Sequence, residues 1–372
     1  MYLFHKNKLV AKLTMFQEQP IGIEEIYNQE LLPVGLRGDL DFADKNFLGW
    51  NSERVIPAGR VNIDTIRGKL GNPVELSTKS LGLSLTDCYW FNPVEKDGFC
   101  WEDVNFHENG FESDLLLLRK GQLHAPHRSP DYTTGGVLDK FWFHSNGRSY
   151  LAKIGTIPGV QEEPVLAANE VVASKIANRL NIPCTEYQPI LIDNEFGCVS
   201  ECFAKKDENV VTAQSIAYQL DTYDANKVID YIRNLGFGQD LDKMFLLDAI
   251  IGNNDAHLSN FALGMNCQTM EYTRFIPLYD NGSSLGWNRV RYQDLLMKPF
   301  QLNPDRYIQM VNTYTELPRL DDLLVDLCDV YDQYHISEQQ TSIAMQTLTD
   351  GYQTVQNRML ELELEDPEYS LR

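Results

Sequence analysis

Ile250-Ile-Gly-Asn-Asn-Asp-Ala-His-Leu-Ser-Asn-Phe-Ala-Leu263 joins an apolar run to a polar loop, and this junction decides the predicted fold. The apolar run that begins at Met244 predicts a helix that stops at Gly252. The loop after it carries Asp255, His257 and Asn260. The apolar residues 261–263 close the loop and predict a short buried strand.

Asp255 and Asn260 stand five positions apart, which is the spacing of a phosphoryl-transfer site. In such a site the aspartate is the base for the attacking hydroxyl, and the asparagine offers a neutral oxygen to a metal ion. A second aspartate, Asp280, follows another apolar segment and precedes Asn281-Gly282. Because magnesium binds oxygen and takes few ligands from protein, Asp280 and Asn260 suffice to hold it. The alternative is a turn rich in Asn, Asp and Gly that serves only local structure.

Length and charge narrow the classes of function. A chain of 372 residues with 43% hydrophobic content predicts two or three domains with sizeable cores. The net charge of −21 argues against direct binding of nucleic acid, although a nucleotide can bind where lysines, helix N-termini and magnesium offset the field. The first six residues lack the features of a signal peptide, and no apolar run approaches a membrane span, so we expect a cytoplasmic protein.

Metal sites built from cysteine or histidine are not predicted. The seven cysteines are scattered, and the closest pair, Cys198 and Cys202, lacks a second pair at zinc-finger spacing, so free buried thiols are expected. His124 and His127 lie near Asp131 in a proline-interrupted loop, where a third ligand and a fixed geometry are missing.

The chain is predicted to contain an N-terminal accessory module (1–110), a small sheet lobe with a glycine-rich loop (111–210) and a helical lobe (211–372) that carries the catalytic and metal-binding loops. In the first module, residues 2–4 and 8–13 predict a hairpin. Three arginines, Arg54, Arg60 and Arg67, are expected to be solvated, with an anion or protein contact as the alternative.

A glycine pair opens the predicted sheet lobe. Gly135-Gly136 precedes two apolar runs joined by Asn146-Gly147, which predicts a hairpin with Lys153 on its second strand. Backbone amides at a glycine pair can approach phosphate oxygens. A plain turn at the head of a strand is the alternative, and the P-loop pattern is absent from the sequence.

The helix predicted over 167–180 carries Glu170 in its first turn. In kinases, a glutamate on the helix that follows the strand fixes a phosphate-binding lysine on that strand. The alternative is that the lysine is exposed and that the helix dipole favours a glutamate at this position. Two further strands are predicted over 187–192 and 197–203. The second ends at Glu201-Cys202-Phe203, where the chain would offer backbone groups to an adenine.

In this order, the parts resemble a two-lobed protein-kinase-like α+β fold, a small antiparallel sheet lobe plus a mostly helical lobe, with an extra N-terminal module. In detail the sequence resembles the HipA family, serine/threonine kinases of bacterial toxin–antitoxin modules. The segments that carry this resemblance are Tyr150-Leu-Ala-Lys153, Asn169-Glu170, Leu180-Asn-Ile-Pro183, Gly252 to Phe261 and Leu278-Tyr-Asp280.

The resemblance implies ATP and Mg²⁺ as cofactors, Lys153 on the nucleotide phosphates with Glu170 orienting it, Asp255 as base, and Asn260 and Asp280 on magnesium. It also implies an antitoxin partner and autophosphorylation of a loop hydroxyl, for which Ser129, Thr133 and Thr134 are candidates. Many members carry lysine where this chain has Ser259, which removes a positive charge. The alternatives are a small-molecule or lipid phosphotransferase, a non-catalytic nucleotide-binding protein on the same fold, and a structural protein of a phage or mobile element.

Overall fold

The computed structural model describes residues 1–95, 98–288 and 316–365, with side chains up to residue 361. The chain falls into two compact units, each built from three segments. Unit 1 comprises residues 1–153, 201–223 and 262–276, and unit 2 comprises 154–200, 224–261 and 277 onward.

The described part of the chain mixes helices with antiparallel strands. The strands are β1 Tyr2–His5, β2 Lys8–Phe16, β3 Gln19–Ile26, β4 Tyr89–Asn92, β5 Lys140–Ser145, β6 Arg148–Ile154, β7 Gln188–Ile192, β8 Glu195–Glu201, β9 Glu208–Thr212, β10 Ala262–Asn266 and β11 Tyr272–Phe275. The helices are α1 Leu40–Ser52, α2 Ile63–Lys69, α3 Pro73–Lys79, α4 Trp101–Val104, α5 Phe106–Asn109, α6 Asp114–Arg119, α7 Val165–Arg179, α8 Ala213–Gln219, α9 Ala225–Ile232, α10 Gly238–Ile251, α11 Leu320–Gln333 and α12 Glu338–Glu365.

Unit 1 contains two antiparallel sheets. The first has the order β3-β2-β1-β4, and the predicted N-terminal hairpin is confirmed, with Leu3 opposite Ala11. Its buried face packs on α1 through Leu3, Phe47 and Trp50. The second sheet has the order β11-β10-β9, so the strand predicted after the polar loop forms as β10, between two partners.

The hairpin of β5 and β6 also lies in unit 1. Asn146 and Gly147 both have positive φ, 51° and 76°, which the two-residue turn of a tight hairpin requires. The register places Lys140 opposite Lys153, so both lysines emerge on the same face of the hairpin. The first strand begins at Lys140, three residues later than its apolar run suggests, because the preceding segment is held as a loop by side-chain contacts described below.

Unit 2 is built around two buried helices, α7 and α10. Helix α10 ends at Gly252 in the left-handed conformation (φ 60°, ψ 47°), as its sequence predicts. It packs against α12 at Gly351, where a Cβ atom would collide with the Ile250 carbonyl oxygen, so only glycine permits this approach. In the same unit, β7 and β8 form a hairpin through Asp193 and Asn194.

A membrane-spanning helix is not found among the described residues, since no helix there combines the necessary length with sufficient hydropathy.

Candidate active site

The predicted site residues fall into two groups, one in each unit, and the group in unit 2 centres on the loop after α10. Asn253 organises this loop: its Nδ2 donates to Asp248 Oδ1 at 2.9 Å, and its Oδ1 accepts the Asp255 backbone N–H at 3.1 Å. Asn260 closes it, because its Nδ2 donates to the Asp255 carbonyl oxygen at 2.7 Å. The short polar side chains of Asn253 and Asn260 therefore shape the loop.

The loop around Asp280 is attached to the first loop by backbone hydrogen bonds. The Asn254 N–H donates to the Ser283 carbonyl at 3.1 Å, and the Leu285 N–H donates to the Ile251 carbonyl at 2.8 Å. Asp280 has a φ of 64°, a left-handed conformation that aspartate tolerates better than most residues. The two aspartates are thereby brought together in unit 2.

The proximity of the two carboxylates affects the titration of Asp255. Partial desolvation by the surrounding protein, with the negative charge of Asp280 as a further cause, raises the pKa of Asp255 above the usual value for aspartate. The neighbouring His257 and a hydrogen bond from Ser283 act in the opposite direction. A carboxyl group with a raised pKa beside a second carboxylate is typical of sites that move protons or bind cations.

Two residues of α7 hold the Asp280 loop. Glu170 is buried, and its Oε2 accepts the Asn281 backbone N–H at 2.8 Å. Asn169 is also buried, and its Nδ2 donates to the carbonyls of Gly282 and Ser284 at 3.0 and 2.6 Å. The Tyr331 hydroxyl in turn donates to Asn169 Oδ1 at 2.6 Å. The sequence predicted Glu170 as the residue that orients Lys153, whereas the contacts of Glu170 and Asn169 with the Asp280 loop become visible only in the structure.

The donor set of these loops fits a magnesium ion. Magnesium prefers oxygen ligands and uses few from protein. Asp280 supplies a carboxylate, and the hydrogen bond from Asn260 Nδ2 to the loop carbonyl leaves Oδ1 as the end of that amide that can ligate. The Tyr279 hydroxyl donates to the Ser259 carbonyl at 3.0 Å and so ties the residue before Asn260 to the residue before Asp280.

In unit 1, a buried arginine holds the glycine pair. The Arg60 guanidinium donates to the carbonyl oxygens of Thr134 (2.5 Å), Gly135 (3.0 Å) and Gly136 (2.7 Å). In a trans peptide the carbonyl and the next N–H point in opposite directions. The amides of residues 135–137 therefore point away from the guanidinium, as successive amides do in anion-binding loops.

The loop conformation also explains the second glycine. Gly136 has a φ of 89°, and a Cβ atom there would collide with the Nζ atom of Lys140. Lys140 and Lys153 are both buried on the β5–β6 hairpin. The predicted glycine pair is thus placed beside one hairpin lysine, and the hairpin register places the other lysine opposite it.

The segment predicted to face an adenine lies at the end of β8. The Glu201 carboxylate pairs with Arg148 at 2.8 Å, and the Cys202 N–H donates to the Ser149 carbonyl at 2.8 Å. The Phe203 carbonyl accepts a hydrogen bond from Arg274 at 2.9 Å. These contacts fix the backbone of 201–203 against β6 and β11 within unit 1.

The three candidate phosphorylation residues lie in a polar network before the glycine pair. Ser129 is fully buried, and its Oγ accepts the Asp131 N–H at 3.3 Å. Thr134 is buried as well, and the Thr133 hydroxyl donates to the Leu83 carbonyl at 2.9 Å. Burial raises the pKa of Asp131 to about 6, while its oxygens accept hydrogen bonds from backbone amides and from Ser113.

A family model described as the HipA-like C-terminal domain matches residues 132–345, more than half of the chain. This chain belongs to the HipA-like C-terminal domain family.

Two solved structures are similar to this chain. HipA from Shewanella oneidensis MR-1, determined with HipB and operator DNA, is 13% identical, with a TM-score of 0.51 and coverage of 96% of each chain. The Helicobacter pylori proinflammatory kinase CtkA is 18% identical, with a TM-score of 0.42, and the match covers 61% of this chain and 96% of CtkA. No curated protein matches the sequence. At these identities, the HipA likeness bears on the fold alone, and membership in the HipA-like family supports a kinase-type function.

One expectation about the N-terminal module of this HipA-like chain is wrong. Arg54 and Arg60 are buried rather than solvated, and only Arg67 is exposed. Arg54 pairs with Asp87 and donates to the carbonyls of Gly82 and Tyr89. Guanidinium groups can be buried when several acceptors surround them, and these acceptors are distant in sequence and thus invisible to a local pattern.

The paired histidines of this HipA-like chain are both exposed. His127 Nδ1 lies 2.8 Å from Asp114 Oδ1. Within the described residues, no group of metal-ligand type includes either of them. The seven cysteines form no disulfide with one another; three are buried, as predicted, and four are half-buried.

Proposed function

We propose that this chain is a Mg-ATP-dependent serine/threonine protein kinase of HipA type, with the two-lobed arrangement of that fold. The observation that carries the proposal is the attachment of the Asp255 loop to the Asp280 loop by two backbone hydrogen bonds. It sets a base and a metal-binding carboxylate side by side in the order along the chain that kinases use.

Each residue then has a definite task. Asp255 accepts the proton of the attacking hydroxyl, and its raised pKa brings it nearer to the pH at which a base is most effective. Asn260 and Asp280 hold magnesium through oxygen atoms, and magnesium when bound neutralises charge on the phosphates. Glu170 and Asn169 hold the Asp280 loop through backbone contacts.

The nucleotide is assigned to groups in unit 1. The amides that follow the carbonyls held by Arg60 face phosphate oxygens, and Lys153 binds them by charge. The backbone of 201–203 meets the adenine, which places Glu201 and Phe203 at the edge of the nucleotide. Electrostatic stabilisation by positioned amides and cations is the main contribution that such proteins make to phosphoryl transfer.

The partner and the regulation follow from the likeness to HipA. Because the Shewanella protein was determined with HipB, we propose that this chain has a protein antitoxin as its partner and acts as a toxin. The net charge of −21 disfavours direct binding of nucleic acid. Autophosphorylation is assigned to the 129–134 segment. Since Ser129 and Thr134 are buried, their modification requires this segment to open, whereas Thr133 is half-buried.

The decisive experiment is incubation of the purified chain with labelled ATP and magnesium, followed by intact mass measurement and peptide mapping. The Asp280→Ala variant tests the metal site, and Asp64→Ala, at an exposed aspartate of unit 1, is the matched control. Phosphate gained by the wild type and the control, but not by Asp280→Ala, would support the proposal and locate the modified residue.

Other outcomes would favour the alternatives. Protection by ATP against thermal unfolding without any transfer would favour a nucleotide-binding protein, consistent with Ser259 in the position of the family lysine. Transfer to a small molecule or lipid, but to no protein, would favour a different phosphotransferase. The absence of both ATP protection and phosphate transfer would overturn the proposal that this chain binds a nucleotide.

A further inference from the structure

Unit 1 contains a second cluster of reactive side chains that has no role in the proposed phosphoryl transfer. His5 is the last residue of β1, Cys88 precedes β4, and Cys267 follows β10. One ligand atom from each residue lies within 4.8 Å of the others, and all three side chains are less than 5% exposed. We call these three residues the thiol–imidazole cluster.

The cluster has the chemistry and nearly the dimensions of a zinc site. Zinc binds thiolate sulfur at about 2.3 Å and imidazole nitrogen at about 2.0–2.1 Å, so ligands around a tetrahedral ion stand roughly 3.5–4 Å apart. The separations here have an upper limit of 4.8 Å, which is not far above that spacing. The Lys206 carbonyl oxygen, 3.7 Å from Cys88 Sγ, is within reach of the fourth position.

The surroundings order two of the three ligands. Asn209 Oδ1 accepts the Cys88 backbone N–H at 2.8 Å, and Asn209 Nδ2 lies 3.2 Å from His5 Nε2. A metal ion at Nε2 would use the lone pair that faces this amide, so it would displace the Asn209 Nδ2 group. The contact of Asn209 Oδ1 with the Cys88 backbone would remain, and outer contacts of that kind orient the ligands of protein metal sites.

Charge balance favours a divalent ion in this position. Both cysteines belong to an apolar cluster that also contains Phe4, Leu85 and Trp90. A buried site of this type is stable only if its charges cancel. Two thiolates, one neutral imidazole and one Zn²⁺ carry no net charge, and binding would release the two thiol protons to water.

We propose that His5, Cys88 and Cys267 bind one zinc ion that joins the two sheets of unit 1. The ligands are separated by 83 and 179 positions along the chain, so the ion would cross-link β1 and the start of β4 to the end of β10. Such a cross-link stabilises the folded state because the unfolded chain does not present the assembled ligands. This site is independent of the proposed kinase activity.

The test is a titration of the full chain, freed of any affinity tag and stripped of metal under a reductant, with Co²⁺ and then Zn²⁺. We expect one equivalent of Co²⁺ to give a sulfur-to-cobalt charge-transfer band and tetrahedral d–d bands, and Zn²⁺ to displace it. Cobalt bound at the oxygen ligands of the Asp280 site gives no such band. Zn²⁺ should also raise the melting temperature.

Variants assign the ligands. Cys88→Ser and Cys267→Ser should each weaken zinc binding at least tenfold and reduce the charge-transfer band, while Cys202→Ser should leave both unchanged. Cys202 is the matched control, since it packs against the same apolar cluster but is not one of the three ligand residues.

Three results would overturn the proposal. The first is a wild-type titration without a charge-transfer band, which decides the matter even if the serine variants fail to fold. The second is a Cys88–Cys267 disulfide in the purified protein, detected by a mass two hydrogens lower and a linked peptide. The third is binding of Cu⁺ but not of Zn²⁺, which would remove zinc as the ligand.

Discussion

The Asp255 loop and the glycine-pair segment are both polar, irregular and assigned to phosphoryl transfer, yet they are held in different ways. The Asp255 loop is shaped by hydrogen bonds that span two to five residues, as in Asn253 to Asp255 and Asn260 to Asp255. The glycine-pair segment is held by Arg60, whose guanidinium reaches carbonyls 74–76 residues later in the chain.

The difference shows which parts of a site can be recognised in a sequence. A loop that is shaped by its own side chains keeps its chemistry and its support in one motif. A loop that is supported from a distance shows only its glycines, and the residue that positions it stands in a different part of the chain. We therefore expect the two regions to respond differently to mutation.

Replacement of the base should have the largest effect. Asp255→Asn keeps the size of the side chain but removes its ability to take a proton, so we expect the transfer rate to fall by about 10²–10⁴-fold. The melting temperature and the affinity for ATP should change little, because the backbone groups of Asp255 are kept and asparagine retains an oxygen that can accept the hydrogen bond from Ser283. Single-turnover transfer of labelled phosphate would measure the rate. A wild-type transfer rate in the Asp255→Asn variant would show that Asp255 is not the base.

Removal of Arg60, which supports the glycine pair from a distant part of the chain, should lower both the stability of the protein and its affinity for ATP. Arg60→Ala leaves three carbonyls without their charged donor, so we expect a loss of about 2–4 kcal/mol in unfolding free energy, given the usual cost of losing hydrogen bonds to a buried charged group. The KM for ATP should rise at least tenfold, with a smaller change in kcat, because the amides lose their orientation.

Two further variants test whether Arg60 positions the glycine-pair amides for ATP or only stabilises the fold. Arg60→Lys should not restore the KM, since an ammonium cannot match the planar fork of a guanidinium. Arg67→Ala, at the exposed arginine, should leave both KM and stability unchanged. If Arg60→Ala lowered stability with an unchanged KM, Arg60 would be a purely structural residue.

The same contrast explains which features of the structure could be predicted from the sequence. The hairpins at Asn146-Gly147 and at the N-terminus, the end of α10 at Gly252 and the strand after the loop follow from turn chemistry and apolar patterns. The burial of Arg54 and Arg60 does not, because their acceptors lie on other segments. The convergence of His5, Cys88 and Cys267 likewise arises only when β1, β4 and β10 are assembled.

Loss of the hydrogen bond by which Glu170 of α7 holds the Asp280 loop should reduce the unfolding free energy moderately. Glu170→Ala leaves the Asn281 N–H unsatisfied in a buried position, which costs about 1–3 kcal/mol. Glu170→Gln keeps an oxygen acceptor and should lose less. Urea unfolding would measure both, with Glu186→Ala as the exposed control in the same unit. Equal losses of phosphate transfer in the Gln and Ala variants would instead show that the charge matters, as expected if Glu170 orients Lys153.

The smallest effect should be the shift in the titration of Asp255 when its neighbour loses its charge. In metal-free protein, Asp280→Asn removes one of the causes that raise the pKa of Asp255, so that pKa should fall but stay above the usual value for aspartate, since desolvation remains the larger cause. Carboxyl carbon NMR across the acid range would follow it. Because the folded protein holds this proton more tightly than the unfolded chain, the group's contribution to stability decreases as pH rises from the unfolded to the folded pKa. Asp280→Asn should weaken that decrease, and an unchanged Asp255 pKa would show that the two carboxylates do not interact.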